Sequence, residues 1–311
     1  MTPSRYPLIQ APTPLHPLFN AGRELGIDLW IKRDDLTGFA MGGNKGRKIE
    51  YILGDALSRR ARKIVTCGAA ESNFVRQLAV GCQMARIEFH AVVMERPFEP
   101  GFEVLGAPPK GNANQKIALL AGATFHRMEN GPWETLFKSA TNLARELGAF
   151  EIPIGGSTPL GALAFYHAAA EVPGFDVILH ASSSGSTQMG LHVAFSGSNT
   201  HVLGISCDPE EALIEDHTEL GRGLCRLLGM EEDRAEGIDL RFDWVGPGYG
   251  VPSDAGQGAL RWLLSKEGIV LDPIYSGKAF AALLDIAKSG EFGGKRVLFW
   301  HTGGTPAFFN A

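Results

Sequence analysis

The chain of 311 residues is 44% hydrophobic and 20% charged, the usage of an ordinary globular protein, which excludes disordered and fibrous classes and is long enough for two domains. Its 34 acidic and 29 basic residues leave a net charge of -5, and no basic stripe with interleaved aromatics occurs, which argues against nucleic acid as a partner. No apolar run reaches the length of a signal peptide or a membrane span, so the expectation is a cytoplasmic protein without a membrane partner.

In chain order, the prolines Pro3, Pro7, Pro12, Pro14 and Pro17 forbid regular helix over residues 1–20 and suggest an extended surface arm. Leu29–Lys32 reads as a short strand. Behind Gly42-Gly43-Asn44-Lys45 the apolar positions Ile49, Ile52, Leu53, Ala56 and Leu57 recur at three- and four-residue steps, which predicts a helix with one buried face. Strand and helix then alternate: strand 63–67, a helix through Val75, Leu78, Ala79 and Cys82, strand 89–94, a Pro/Gly-rich loop 96–111, helix 113–121, a strand near 124–126 and a helix from about Trp133 to Leu147. Pro and Gly cluster at 152–159, which reads as a domain boundary. Beyond it the pattern predicts helix 160–171, strand 176–180, a helix from Gln188 to Phe195, strand 202–205, a long helix from about Glu210 to Leu228, the Gly/Pro loop 246–252, a helix to about Ser265, the apolar run Ile269–Leu271, helix 277–288 and strand 296–300. Such alternation implies parallel sheets with helices on both faces, in two α/β layers. Cys67, Cys82, Cys207 and Cys225 lie far apart with no CxxC pair and read as reduced core residues.

Four stretches could carry chemistry. Lys45 sits in the first turn of a helix reached through a Gly-Gly bend, where the electropositive helix end favours the neutral, nucleophilic amine. Such lysines form Schiff bases with aldehydes, although a solvated surface lysine is the alternative. Ser182–Leu191, with its serines, Gly185 and Thr187, follows a strand and opens a helix, an arrangement that presents N–H groups to a phosphate; an ordinary capped loop is the alternative. It matches neither the dinucleotide nor the Walker A pattern. An aldehyde-reactive lysine together with a loop for one phosphate fits pyridoxal phosphate. Glu71–Gln77 and His301–Thr305 each follow a strand, at the carboxyl edge where α/β sheets bind ligands, and Ser72 and Asn73 are donors there or simple caps. Tyr249 and Tyr275 sit in loops after Gly or Pro, as ligand contacts or as packing. Nine histidines show no paired-ligand spacing, and no catalytic metal is expected.

The motifs Gly42–Glu50, Ser72–Gln77, Asp272–Ala279 and His301–Pro306 together resemble the family of 1-aminocyclopropane-1-carboxylate deaminase and D-cysteine desulfhydrase, from about residue 5 onward. The resemblance implies the tryptophan-synthase-β-like type II pyridoxal phosphate fold, with two open parallel-sheet α/β domains, and a homodimer. Residues 1–45 and 157–311 would form the larger, cofactor-binding domain and 46–156 the smaller one. By the same resemblance Lys45 would hold pyridoxal 5'-phosphate as a Schiff base and Asn73 would bond its phenolic oxygen. Ser184, Gly185, Ser186 and Thr187 would cradle its phosphate, and Thr302 would meet the pyridine nitrogen. Ser72 would bind the substrate carboxylate or relay a proton, and Tyr249 and Tyr275 match two active-site tyrosines.

Two departures bear on the substrate, a small amino acid. In the ring-opening deaminases a glutamate follows the tyrosine that matches Tyr275; here it is Ser276, which cannot keep the pyridine nitrogen protonated. A weaker electron sink suffices when a good leaving group departs from Cβ, so the expectation is β-elimination from D-cysteine to pyruvate, ammonia and hydrogen sulfide. The alternatives are deamination of 1-aminocyclopropane-1-carboxylate, an L-cysteate sulfo-lyase, and a catalytically silent pyridoxal phosphate binder. Glu71, Ser72, Asn73 and Phe74 are expected to bind the substrate; Glu71 and Phe74 depart from the family's usual Gln and His or Gln, and Glu71 would place negative charge close to where the substrate carboxylate docks unless it is protonated or pairs with the substrate amine.

Overall fold

In the computed structural model, which describes residues 4–98, 100–102 and 112–310, the first half of the chain runs β1 (Leu15–Pro17), α1 (Phe19–Leu25), β2 (Asp28–Arg33), α2 (Lys45–Ser58), β3 (Lys63–Ala69), α3 (Asn73–Ala85), β4 (Glu88–Met94), α4 (Ala113–Leu120), β5 (Thr124–Arg127), α5 (Trp133–Leu147) and β6 (Phe150–Glu151). The second half runs α6 (Pro159–Ala168), β7 (Val177–Ser182), α7 (Ser186–Phe195), β8 (His201–Ser206), α8 (Leu213–Leu228), β9 (Asp239–Arg241), α9 (Asp254–Glu267), α10 (Ser276–Ser289) and β10 (Arg296–His301). The strands form two sheets, one of six in the order β1-β2-β10-β7-β8-β9 and one of four in the order β5-β4-β3-β6. Apart from the antiparallel β1–β2 pair, every strand pair in both sheets is parallel.

Both faces of each sheet are buried, as parallel sheets require. In the larger sheet Val177, Leu179, Leu203, Ile205, Val297 and Phe299 pack against α9 and α10, while the alternating Ile178, Val202, Leu298 and Trp300 pack against α6, α7 and α8. In the smaller, Ile64, Phe89, Ala91 and Val93 face α2, α3 and α4, and Val65, Cys67, Val92 and Met94 face α5. Each fully buried Leu, Ile or Phe in these layers stabilises the fold by about 1.5–3 kcal/mol. All four cysteines are free and buried.

Several expectations change. Residues 4–12 do form an extended arm on the surface, but one that is tied down: Leu8 N and Ile9 N donate to Glu50 Oε1 at 2.8 and 3.0 Å, and Tyr6 N donates to Glu50 O at 2.9 Å. A Cβ on Gly54 would lie 2.1 Å from Ser4 O, so only glycine lets the arm approach α2 this closely. The expected α2 stripe holds for Ile49, Ile52, Leu53 and Ala56, whereas Leu57 is 37% exposed. Helix α1 went unrecognised behind the prolines, α7 begins at Ser186 rather than Gln188 and α8 at Leu213 rather than Glu210, and Ile269–Leu271 is buried coil. Most of the expected loop 96–111 lies outside the described residues. No helix among the described residues is long and apolar enough to cross a membrane.

Candidate active site

Four successive residues before α2 adopt positive φ: Ala40 at 45°, Met41 at 65°, Gly42 at 74° and Gly43 at 112°. A Cβ on Gly42 would meet Asp35 O at 1.8 Å, so that turn admits only glycine. Gly43 N then bonds Asp34 O at 2.8 Å, Asn44 N bonds Thr302 O at 2.9 Å, and Asn44 Nδ2 donates to Thr187 Oγ1 at 3.0 Å. The start of α2 is thereby tied to the end of β10 and to the serine loop, and Lys45 points into a cavity of about 400 Å³. Burial lowers the Lys45 amine to about 8, against a smaller opposing effect of Cys207 and Asp272. The cause of the lowering is burial, where the sequence pointed to the helix end.

Lys48, one turn along α2, also lines the cavity, with Nζ donating to Gly155 O at 2.9 Å. Burial first, and the Lys45 charge second, hold it well below the ordinary lysine value. Sequence reasoning gave it no role, although its i+3 spacing from Lys45 is the signal that places both on one face.

The serine loop turns from β7 into α7 at Gly185 (φ 87°), which caps the helix without a side-chain hydrogen bond, so the first-turn N–H groups face the cavity uncapped. Ser182, Ser183, Ser184, Gly185, Ser186 and Thr187 all line it. Ser157 Oγ donates to Ser184 O, and a Cβ on Gly155 would strike Ser184 Oγ at 2.4 Å, so the 152–159 crossing supports the loop from behind. Ser183 Oγ donates to Asp208 Oδ2 at 2.7 Å, and burial raises the Asp208 carboxyl to about 6.

Across the cavity, Ser72 caps α3: its Oγ accepts from Phe74 N at 3.2 Å and Val75 N at 3.3 Å, which leaves its O–H to donate. Asn73 Oδ1 accepts from Arg76 Nη2 at 3.3 Å, so Nδ2 is the group left to donate. Ser72, Asn73 and Phe74 line the cavity, and Phe74 is also part of the α2–α3 core. Arg76 is buried with Nε and Nη1 unpartnered, and burial lowers it to about 10.

Glu71 is a correction. It is not among the residues lining this cavity; its carboxylate accepts from Asn114 N at 3.1 Å, Gln115 N at 3.3 Å and Asn310 Nδ2 at 2.6 Å. The electropositive N-terminus of α4 suits a carboxylate there.

Tyr249 and Tyr275, 26 residues apart in sequence, meet with their hydroxyls 2.9 Å apart on the cavity wall. Burial raises both phenols above their ordinary value, so both stay protonated. Thr302, Gly303 and Gly304 complete the wall, and a Cβ on Gly303 would lie 2.4 Å from Gly43 Cα. Ser276 is buried behind them and donates to Asp272 Oδ2 at 2.5 Å. Among the described residues no group of three His, Cys, Asp or Glu could hold a metal.

The donor set fits pyridoxal phosphate: an amine that burial lowers to about 8, uncapped helix N–H groups and the buried Lys48 suited to an anion, and glycines 43, 155, 185 and 303 letting the walls approach where a Cβ would clash. Fold and site together define a pyridoxal-phosphate-dependent enzyme of the type II fold. Residues 7–303 match the family of pyridoxal-phosphate-dependent enzymes, and the chain belongs to it. The chain is 36% identical over 320 residues to the D-cysteine desulfhydrase of Salmonella choleraesuis, covering 98% of this chain and 95% of that one. It is 34% identical over 322 residues to a putative 1-aminocyclopropane-1-carboxylate deaminase of Pyrococcus furiosus, covering 98% and 93%. Among solved structures, an ACC deaminase homologue superposes with a TM-score of 0.87 at 32% identity, covering 98% and 93%. The protein is thus a pyridoxal-phosphate-dependent enzyme of the deaminase and desulfhydrase group.

Proposed function

We propose that the protein is a lyase that eliminates the β-substituent of a small amino acid, with D-cysteine as substrate and pyruvate, ammonia and hydrogen sulfide as products. The observation that carries this reading is the engagement of Ser276. Its hydroxyl is committed to Asp272, whose two oxygens also accept from Ile274 N, Tyr275 N and Ser276 N at 2.8–2.9 Å. Thr302, Gly303 and Gly304, which line the cavity at this end, bring no carboxylate, and Asp272 lies behind Gly304, saturated by donors. A site so built does not keep a ring nitrogen protonated, and the weaker electron sink suits loss of a good leaving group such as a thiol. The name of the Salmonella relative supports the same reading.

When bound, pyridoxal phosphate supplies the electron sink for the Cα carbanion. Ser184, Gly185, Ser186, Thr187 and Lys48 would hold its phosphate, Asn73 would donate to its phenolic oxygen, and Thr302 would meet its ring nitrogen. Lys45 anchors the cofactor and, once released by substrate, takes the Cα proton on Nζ; a pKa of about 8 leaves part of the amine neutral near neutral pH. Ser72 binds the substrate carboxylate beside the N-terminus of α3, and Phe74 packs under it. The hydrogen-bonded Tyr249–Tyr275 pair hands a proton to the departing sulfur. In this reading residues 1–45 and 157–311 form the cofactor domain and 46–156 the smaller one, in a cytoplasmic homodimer.

The Pyrococcus relative's name favours a second reading, ring opening of 1-aminocyclopropane-1-carboxylate. Assay of the purified enzyme with each substrate tests the choice. Pyruvate with stoichiometric sulfide from D-cysteine is the expected result. 2-Oxobutyrate from the cyclopropane substrate without pyruvate from D-cysteine overturns it, and spectral silence with both, and with L-cysteate, leaves a non-catalytic binder.

A further inference from the structure

His217 lines the cavity and has none of the roles assigned above. It stands in the second turn of α8, 2% exposed, with Nε2 2.7 Å from Ser183 O. A carbonyl only accepts, so Nε2 carries the hydrogen, and in the neutral ring Nδ1 is a bare lone pair. That Nδ1 is buried without a hydrogen-bond partner among the described residues. The ring also presses on the backbone of the loop: a Cβ on Gly185 would lie 2.6 Å from Cδ2, 3.0 Å from Cγ and 3.1 Å from Nε2. One imidazole therefore grips both Ser183 and Gly185, the residues that turn β7 into α7 and aim its N–H groups.

The charged and titratable groups around it include Asp216 on α8 itself, Lys48 on α2, His180 on β7, and, behind β8, Asp208, which accepts from Ser183 Oγ, and Glu210 on the same cavity wall. Burial is the largest effect on His217 and, with Lys48, holds it below the ordinary histidine value, against Ser183 O and Asp216. A phosphate dianion entering this low-dielectric corner reverses the balance, because it favours charge on every cation-forming group nearby.

Resting on the cofactor reading, we infer that His217 is a positioning residue for the phosphate loop and its proton acceptor: Nε2–H fixes the Ser183 carbonyl, and Nδ1 takes a proton from solvent when a phosphomonoester dianion binds. The step conserves charge and atoms, one solvent proton adding to the Nδ1 lone pair.

The test titrates apo-enzyme with pyridoxal phosphate and, separately, with pyridoxal, which lacks the phosphate, and measures proton uptake by calorimetry in buffers of different ionisation enthalpy. Wild type takes up protons with pyridoxal phosphate and not with pyridoxal. H217A loses the donor to Ser183 and weakens pyridoxal phosphate about tenfold while leaving pyridoxal unchanged. H217Q, whose amide N–H can replace Nε2–H but does not titrate, restores the affinity and still lacks the share of proton uptake due to His217. Equal weakening of both aldehydes in H217A, or wild-type proton uptake in H217Q, overturns the proposal, and the H217Q measurement stands even if H217A does not fold. If wild-type apo-enzyme captures neither aldehyde on Lys45, it is the cofactor reading that has failed.

Discussion

Arg47 and Lys48 are neighbours on α2, exposed by only 4% and 1%, and the fold treats their charges in opposite ways. Arg47 Nε and Nη2 each donate to Asp34 at 2.8 Å, Nη1 and Nη2 reach Glu171 at 2.7 and 3.0 Å, and Nη2 reaches Thr13 Oγ1 at 3.1 Å. Lys32 and the Trp300 indole complete the cluster, at 2.6 Å from Glu171 and 2.9 Å from Asp34. Burial alone would lower Arg47 and raise Asp34, but their mutual attraction and hydrogen bonds outweigh it and leave both ionised. Lys45 and Lys48, on the cavity side, have no carboxylate partner within salt-bridge distance among the described residues, and burial lowers them both. Paired buried charge holds the arm, β2, α2 and β10 together; unpaired buried amines mark where a ligand supplies the missing charge.

Removing the amine that the cavity keeps unpaired has the largest expected effect. Lys45→Met lowers pyruvate release from D-cysteine by more than about 10³-fold and abolishes covalent capture of the cofactor on borohydride reduction, while the fold, followed by circular dichroism, survives. The same lysine shapes the pH dependence of the apo-enzyme. Its folded value, about 8, lies below the unfolded value of about 10.4, so between these limits the unfolded chain binds more protons and stability rises with pH. Lys45→Met removes that rise in urea midpoints.

On the paired side the expected loss is of stability. Arg47→Met leaves Asp34 buried without its cation, while Glu171 keeps Lys32, and destabilises by about 3–5 kcal/mol in urea unfolding; an effect below 1 kcal/mol would erase the contrast between the two faces. Asp208 sharpens it from the acidic side. Its folded value, about 6, lies above the unfolded value of about 3.9, so its contribution is present below about pH 4 and lost as pH rises to about 6. Asp208→Asn removes that slope, on the order of 2 kcal/mol, read as thermal midpoints from pH 4 to 7. The smallest effect concerns the entry to Lys45: Met41→Gly relieves a left-handed φ and stabilises by up to about 1 kcal/mol.

What the sequence determined by itself was whatever is written locally. Period-two and period-3.6 patterns were enough for the alternating elements and hence for two parallel sheets, and three short motifs marked Lys45, the start of α3 and the serine loop. The prolines hid β1 and α1, because β1 exists through pairing with β2 and α1 through packing on α9, neither of which is a local preference. Only the tertiary structure brought Tyr249 to Tyr275, turned Glu71 toward α4, paired Arg47 while leaving Lys48 unpaired, and set His217 against Gly185. Each of these is a question of which charge or donor meets which across tens to hundreds of residues of chain. Burial and charge pairing, the two causes that decide a side chain's protonation and role, are properties of that three-dimensional neighbourhood and not of the residue type.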